Sequence, residues 1–516
     1  MKKIVLSVLL LCHIQAFGAP PKKPKLIVGI MVDQFRYDYL TRFRSDYSAG
    51  FARLLEHGAV FTDAHHISAP TVTAIGHSTF MSGATPSLSG IAANEWYDRQ
   101  LKKSVTSVSD PDTKLVGGAA GRAGSSPNRL LVSTLGDEIK MQGGDSKVIG
   151  VSIKDRSAIL PAGHMADAAY WFDGESKAWV TSSYYMSELP PWVQEFNRGQ
   201  PALQHMNATW FPFDAPKGTP YCTLAEGTAV PSCGSIEATP WGNDMIEAFA
   251  ERVVVEEKMG KHAGTDLLTV SYSSNDYVGH ELGPDSPQVR DISIRTDRLL
   301  GKFLDFLNQK VGEANIVIVM SADHGVSPVP EVNRARRMPG GRLSMSMLTG
   351  AAQEALSAKY GTGKWVDAGG TASIYLNIDL IHSKNLNRAE VEETAAEALR
   401  ALPHAFRVYT RDALMSGRVP DDFVTAAFRN GFNPQRSADV LFLSEPFYIF
   451  GATGTSHGTP FNYDTHVPVI FMGADIRAGS YYDRVAVNDI APTLASIVGV
   501  PFPSGSVGHV LSQMFK

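Results

Sequence analysis

Short apolar runs recur along the chain, and most give way at their carboxyl ends to a polar or charged cluster. Leu26-Ile27-Val28-Gly29-Ile30-Met31-Val32 leads into Asp33, and Val148-Ile149-Gly150-Val151 leads into Lys154 and Arg156. Leu267-Leu268-Thr269-Val270 precedes a segment ending in Asp276 and His280, and Ile316-Val317-Ile318-Val319-Met320 delivers Asp323 and His324. Val469-Ile470-Phe471-Met472 is a further run of the same kind, placed just after His457. Such runs predict buried parallel strands. Between them lie helical stretches, such as Asp291 to Leu307, with apolar residues at spacings of three and four. The alternation predicts an α/β fold in three layers, a mostly parallel central sheet with helices on both faces. Ligands on such sheets bind beyond the carboxyl ends of the strands, where the polar clusters fall.

Two segments fit this rhythm badly. Residues 168–245 are rich in Trp, Tyr, Pro and Gly, and residues 330–440 hold a basic stretch with Arg334, Arg336, Arg337 and Arg342 before more helix. Both are expected to be cap insertions on a single catalytic domain spanning 25–500. With 516 residues, 44% of them hydrophobic, the chain can bury a large core, so extended disorder is not expected.

The opening MKKIVLSVLLLCHIQAFGA sets two lysines before an apolar stretch, with small residues Ala16 and Gly18 ahead of a cleavage site. This is the pattern of a secretory signal peptide over residues 1–18. Its apolar run, Ile4 to Leu11, is much shorter than the roughly 20 residues that cross a bilayer, and no later segment is long and apolar enough. A periplasmic or secreted protein is therefore expected. Removing Lys2 and Lys3 with the leader takes the formal charge from −5 to −7, which argues against nonspecific nucleic-acid binding. Cys222 and Cys233 remain, and an oxidising compartment favours a disulfide between them.

Asp33, Asp276, His280, Asp323, His324 and His457 form an Asp/His set with standard zinc-ligand chemistry, and nearly every member sits just past an expected strand. Taken singly, an Asp at a strand end is often a helix cap. Six together point to metal. The four-residue offset of Asp276 and His280 places both on one side of a helical turn, and adjacent Asp323 and His324 can reach one ion while Gly325 turns the chain away. A hydroxyl nucleophile is sought in Ala69-Pro70-Thr71-Val72-Thr73-Ala74-Ile75-Gly76-His77, where a bound metal would stabilise the alkoxide. Spacing alone leaves Ser68, Thr71 and Ser78 open beside Thr73.

The Asp33 strand end, Thr73-x-x-Gly76-His77, Gly90-Ile91-Ala92-Ala93-Asn94, Asp276-x-x-x-His280, Asp323-His324-Gly325 and His457-Gly458-Thr459 occur in the order seen in the alkaline phosphatase superfamily. The chain resembles its threonine-nucleophile branch, which includes bacterial phosphate-irrepressible alkaline phosphatases and the nucleotide pyrophosphatase/phosphodiesterases. The resemblance implies two zinc ions, one held by Asp276, His280 and His457, the other by Asp33, Asp323, His324 and the Thr73 oxygen. It implies a phosphothreonine intermediate at Thr73, with Asn94 donating to a phosphoryl oxygen. Lys154 and Arg156 correspond to a Lys-x-Arg element that receives the dianion of a monoester. Both are expected to face the site if their segment is extended. The implied substrates are small-molecule phosphate monoesters. A phosphodiesterase or nucleotide pyrophosphatase is the neighbouring alternative, and a silent zinc- or phosphate-binding protein the remote one. Oligomeric state is left open, a monomer being compatible.

Overall fold

The computed structural model describes residues 23–225 and 228–516, so the expected signal peptide lies outside the described residues. Eleven strands form the central sheet: β1 (Leu26–Val32), β2 (Ala59–His65), β3 (Ser109–Val116), β4 (Ala123–Ser125), β5 (Val148–Ser152), β6 (Ala168–Asp173), β7 (Ala178–Ser182), β8 (Asp266–Tyr272), β9 (Ile316–Ser321), β10 (Val469–Gly473) and β11 (Gly479–Ala486). Their spatial order is β11-β2-β10-β9-β1-β8-β5-β6-β7-β3-β4. The block β9-β1-β8-β5-β6 is parallel throughout, and its members are buried on both faces, as the apolar runs require. The expected α/β architecture with a mostly parallel core is present.

Strand β10 departs from its expected direction. It runs antiparallel to both β9 and β2. The reason is its approach: the preceding segment already sits at the carboxyl ends of the parallel strands, where Gly325 N–H donates to the Asp464 carbonyl at 2.7 Å and His66 N–H to the Thr465 carbonyl at 3.0 Å. A chain entering the sheet from that end has to run back through it.

The stretch expected as a cap near 168–245 opens instead with sheet. β6 pairs in parallel with β5, and β7 returns antiparallel beside it. Its aromatic residues are core: Tyr170 and Trp179 are fully buried, and Trp179 stacks on Phe249 with ring centroids 4.1 Å apart. Phe249 belongs to the helix Pro240–Glu256, whose Ile246, Ala250 and Val253 are likewise fully buried. Phe249, Ile246 and Val253 each contribute about 1.5–3 kcal/mol by leaving water. Cys222 and Cys233 form a disulfide beside the short hairpin of Thr209–Trp210 and Cys222–Thr223.

The stretch expected as a second insertion, 330–440, carries most of a separate four-stranded antiparallel sheet, ordered Val366–Gly370, Ser373–Leu376, Val440–Ser444, Ala405–Thr410. Helices Met345–Tyr360 and Arg388–Arg400 share a core with it around Leu348, Trp365, Ile374 and Leu399. The basic stretch is locally paired, Arg334 and Arg342 with Glu331 and Arg336 with Asp285.

Candidate active site

The carboxyl edge of the parallel block gathers the candidate side chains. Asp33 continues β1, its N–H donating to the Tyr272 carbonyl at 3.0 Å and its Oδ1 accepting from Ser271 Oγ at 2.7 Å. Helix α1 (Thr73–Ser82) starts at Thr73, and helix α2 (Asp155–Ala162) follows β5. Helix α3 (Ser274–Leu282) carries Asp276 and His280 one turn apart, with Nε2 of His280 3.3 Å from Oδ1 of Asp276. Asp323 and His324 follow β9, and His457 lies in the loop ahead of β10. A Cβ on Gly76 would stand 2.2 Å from the Asp323 carbonyl oxygen, so only glycine lets α1 lie this close to the Asp323-His324 turn.

Backbone carbonyls fix three of the imidazoles. Nδ1 of His280 donates to the Thr455 carbonyl (2.8 Å), Nδ1 of His457 to Thr71 (2.7 Å) and Nδ1 of His324 to Gly325 (2.9 Å). A carbonyl only accepts, so each Nδ1 holds a hydrogen and each Nε2 is turned into the site. The Nε2 atoms of His280 and His457 face each other at 3.1 Å, with Oδ1 of Asp276 at 3.3 and 4.0 Å completing a triangle. Around Thr73, Nε2 of His324 is 3.5 Å from Oγ1 and 3.3 Å from Oδ2 of Asp323. That Oδ2 is buried without a hydrogen-bond partner.

Charge points the same way. Asp33, Asp276 and Asp323 are all buried, and the ammonium of Lys154 bonds two of them, 2.9 Å from Asp33 and 2.6 Å from Asp276. Burial pulls this lysine down, but the Asp276 and Asp33 carboxylates outweigh it and hold it above its ordinary value. Burial, with Asp33 beside it, pushes Asp323 well up, and burial with His280 nearby brings His457 down to about 3. Facing lone pairs, an unpartnered carboxylate oxygen and excess buried negative charge fit divalent cations, and the His/Asp donors with carbonyl-anchored Nδ1 atoms suit zinc.

Asp276, His280 and His457 converge as expected from the sequence. The second group that converges is Asp33, His77 and Asp323, with His77 where His324 was expected. Nδ1 of His77 lies 2.9 Å from the Thr73 carbonyl and so carries a hydrogen, and Nε2 faces Ser271 Oγ at 2.9 Å. His77 thus buttresses Asp33 and Asp323, at 3.5 and 3.6 Å, while His324 keeps the free Nε2. Sequence reasoning gave His77 no role; its place one helical turn after Thr73 was the signal available. Gln34 was also missed. It takes a left-handed conformation (φ 58°), its N–H donating to Asp323 at 2.9 Å and its side-chain amide to Asp276 at 2.7 Å, which ties the two groups together. Asp464 accepts from Gly458 N, Thr459 N and Thr459 Oγ1 at 3.0, 2.8 and 2.7 Å and so holds the His457 loop.

A third cluster, Asp63, His65 and His466, reads as structural support. Both nitrogens of His65 are taken, by Asp63 and Thr465, and Arg484 stands 3.9 Å from Asp63.

Asn94 Oδ1 accepts from Ala74 N–H at 2.8 Å, which sets the side chain beside Thr73 at the start of α1. Lys154 has extended backbone (φ −88°, ψ 132°) and precedes α2, whose first turn holds Arg156. The segment is therefore not extended through Arg156 as expected; the helix begins within it. Arg156 Nε is buried without a hydrogen-bond partner.

Residues 27–466 match the family described as type I phosphodiesterase / nucleotide pyrophosphatase. The chain is 35% identical to alkaline phosphatase PafA of Elizabethkingia meningoseptica over 99% of each chain. It is 34% identical to a calcium-transporting ATPase of Myroides odoratus, over 96% of this chain and 95% of that one. The crystal structure of wild-type PafA superposes with a TM-score of 0.90 at 33% identity, covering 96% of this chain and 99% of the other.

Proposed function

This chain belongs to the type I phosphodiesterase / nucleotide pyrophosphatase family, and from that premise we propose that it is an alkaline phosphatase hydrolysing phosphate monoesters through Thr73. The observation that carries the monoester reading is the Lys154 ammonium. It is buried and reaches Asp33 and Asp276, one carboxylate from each ligand group, which supports a role at a phosphoryl group bound between the two. A monoester brings a dianion with three nonbridging oxygens, and a buried cation at that point favours it over the single charge of a diester.

In this reading Asp276, His280 and His457 would hold one zinc, and Asp33, Asp323 and His324, with the Thr73 oxygen, would hold the other. Bound zinc supplies Lewis acidity that favours the Thr73 alkoxide and offsets charge on the departing oxygen. Thr73 Oγ forms a bond to phosphorus as the bond to the leaving oxygen breaks, giving phosphothreonine. Water then attacks phosphorus, releasing inorganic phosphate and freeing Thr73. Asn94, with its Oδ1 engaged by Ala74, turns its amide hydrogens to one phosphoryl oxygen, and Arg156 offers its unpartnered guanidinium to others. His77 and Gln34 keep the carboxylates in register.

The names of the two relatives describe compatible chemistry, since the terminal phosphoryl of ATP is, like a monoester, a group with three nonbridging oxygens. Among the described residues no helix is long and apolar enough to cross a membrane. The leader and the disulfide support a periplasmic or secreted enzyme. The family description itself favours a second reading, a diesterase. The two are separated by kcat/KM for an aryl phosphate monoester and a matched aryl methyl diester, in the zinc-loaded protein and its Lys154→Ala and Arg156→Ala variants. Strong monoester preference is the expected result, with Arg156→Ala losing activity mainly on that substrate and Lys154→Ala, which also releases Asp33 and Asp276, losing it on both but more on the monoester. A diester preference indifferent to both substitutions overturns it.

A further inference from the structure

A chamber of about 180 Å³ opens beside the site, between the main sheet's edge and the small antiparallel sheet. It adjoins the chemistry through His457, which lines it, and through the neighbours of two further site residues: Ala93 and Glu95 on either side of Asn94, and Pro70, three residues before Thr73. The rest of the wall is mainly carbon, with Met345, Tyr375, Phe428 and Leu441 contributing. Glu95 and Asp464 are its acidic members, and among the described lining residues there is no Lys or Arg.

We infer that this chamber receives the leaving group of the ester and selects a neutral, flat, apolar one, an aryl or similar ring. The inference rests on the monoesterase reading and adds the substrate class to it. Direction follows from in-line displacement. Thr73 Oγ1 lies by His324, in the Asp33/Asp323/His324 group, so the oxygen departing on the opposite side of phosphorus faces the group that contains His457. His457 is the member of that group that lines the chamber, which puts the chamber beside the departing oxygen. Its size is right for one ring and a small substituent, since an apolar protein cavity of about 150 Å³ takes up benzene. Its charge is wrong for a nucleotide. The remaining phosphates of ATP would lie toward Glu95 with no basic side chain on the wall to meet them, Asp464 being turned to the Gly458 and Thr459 donors. A small polyol would leave apolar wall uncovered and forgo the gain from burying a ring.

Stable analogues test this without the chemical step. Inhibition constants of inorganic phosphate, methylphosphonate and phenylphosphonate are to be measured on the zinc-loaded protein and on Thr371→Trp. Thr371 is exposed and lines the chamber, so the indole fills it without disturbing buried packing. Phenylphosphonate is expected to bind at least about tenfold tighter than methylphosphonate to the wild type. In Thr371→Trp the two should come within about threefold of each other, with inorganic phosphate unchanged as the check that the phosphoryl site is intact. Equal binding of the two phosphonates by the wild type, or an undiminished phenyl preference in Thr371→Trp, overturns the inference. So does a higher kcat/KM for ATP than for phenyl phosphate. Failure of the underlying reading looks different: inorganic phosphate does not inhibit and monoesters are not turned over, and the chamber's assignment then falls with it.

Discussion

Replacing Gly76 by alanine should disable the enzyme while leaving it folded. Gly76 sits one turn into α1, three residues after Thr73, with its α-carbon against the turn that carries Asp323 and His324. A Cβ there would lie 2.2 Å from the Asp323 carbonyl oxygen and 2.5 Å from its Cα, whereas ordinary contact begins at 3.4 Å. The difference, 1.2 Å, has to be absorbed by backbone, because both obstructing atoms are main chain and no side chain can rotate away. Either α1 retreats with Thr73, or the Asp323-His324 turn does. Each movement pulls nucleophile and ligands apart by about an ångström, and a displacement of that size costs on the order of 100-fold in rate. The packing penalty itself is about 1–3 kcal/mol, small enough for a core of this extent to survive. The assay is kcat/KM on an aryl phosphate with zinc held in excess, alongside circular dichroism and thermal unfolding. A cooperative unfolding transition with activity down about 100-fold is expected. Gly76→Ala with kcat/KM within threefold of wild type would refute the claim that this close approach sets the site.

Three other perturbations follow from the same geometry. His77→Ala removes the side chain that bonds Ser271 and the Thr73 carbonyl and stands against Asp33 and Asp323; zinc affinity by chelator competition should fall about 10–100-fold, and an unchanged affinity would remove its buttressing role. Asp464→Ala leaves two backbone N–H groups and the Thr459 hydroxyl without their acceptor, so urea unfolding should show a loss of about 3 kcal/mol; a loss under about 0.5 kcal/mol would mean the His457 loop is held by something else. Burial pushes Glu247 from 4.5 up to about 9, so between those values the folded chain keeps a proton that the unfolded chain has released. Stability then falls as pH rises through that window, by about 1.4 kcal/mol per unit. Glu247→Gln should cancel this contribution, and its stability advantage over wild type should widen from pH 6 to pH 8; an advantage independent of pH would contradict the assignment.

The catalytic edge was legible because its ligands follow the most regular part of the fold. A strand buried on both faces must read as an unbroken apolar run, and the first polar residue after it marks the sheet's carboxyl edge. Asp33 announces itself this way, and Lys154 and Asp323 stand two residues beyond the serines, Ser152 and Ser321, that do. Direction of pairing was not legible at Val469–Met472, since an apolar run has the same composition whichever way it points. The Trp- and Tyr-rich stretch after residue 168 misled for a related reason: aromatic content marks burial, and the chain alone does not say whether a ring lies under a sheet or under a cap. His77 and Gln34 escaped because their role is to orient other residues. Such a role is defined by contacts across the fold, here between α1, β1, β8 and the turn after β9, and leaves little trace in local spacing.

Lys154 and Arg156 show where local pattern and tertiary charge part company. Alternation along an extended strand would give both the same direction, yet α2 starts at Asp155, so the two side chains leave from different backbone geometries. What fixes Lys154 is the attraction of Asp33 and Asp276, two buried carboxylates that the sheet brings together from residues 243 positions apart in the chain. No propensity encodes that convergence; it exists once β1 and β8 lie side by side. The guanidinium of Arg156 answers to no carboxylate in the same way, and its Nε remains buried and unpartnered. The lysine is thus committed to the ligand cage and the arginine is left free for an incoming anion. On that basis Arg156→Ala should act chiefly on substrate binding, while Lys154→Ala should disturb both the cage and the bound phosphoryl group.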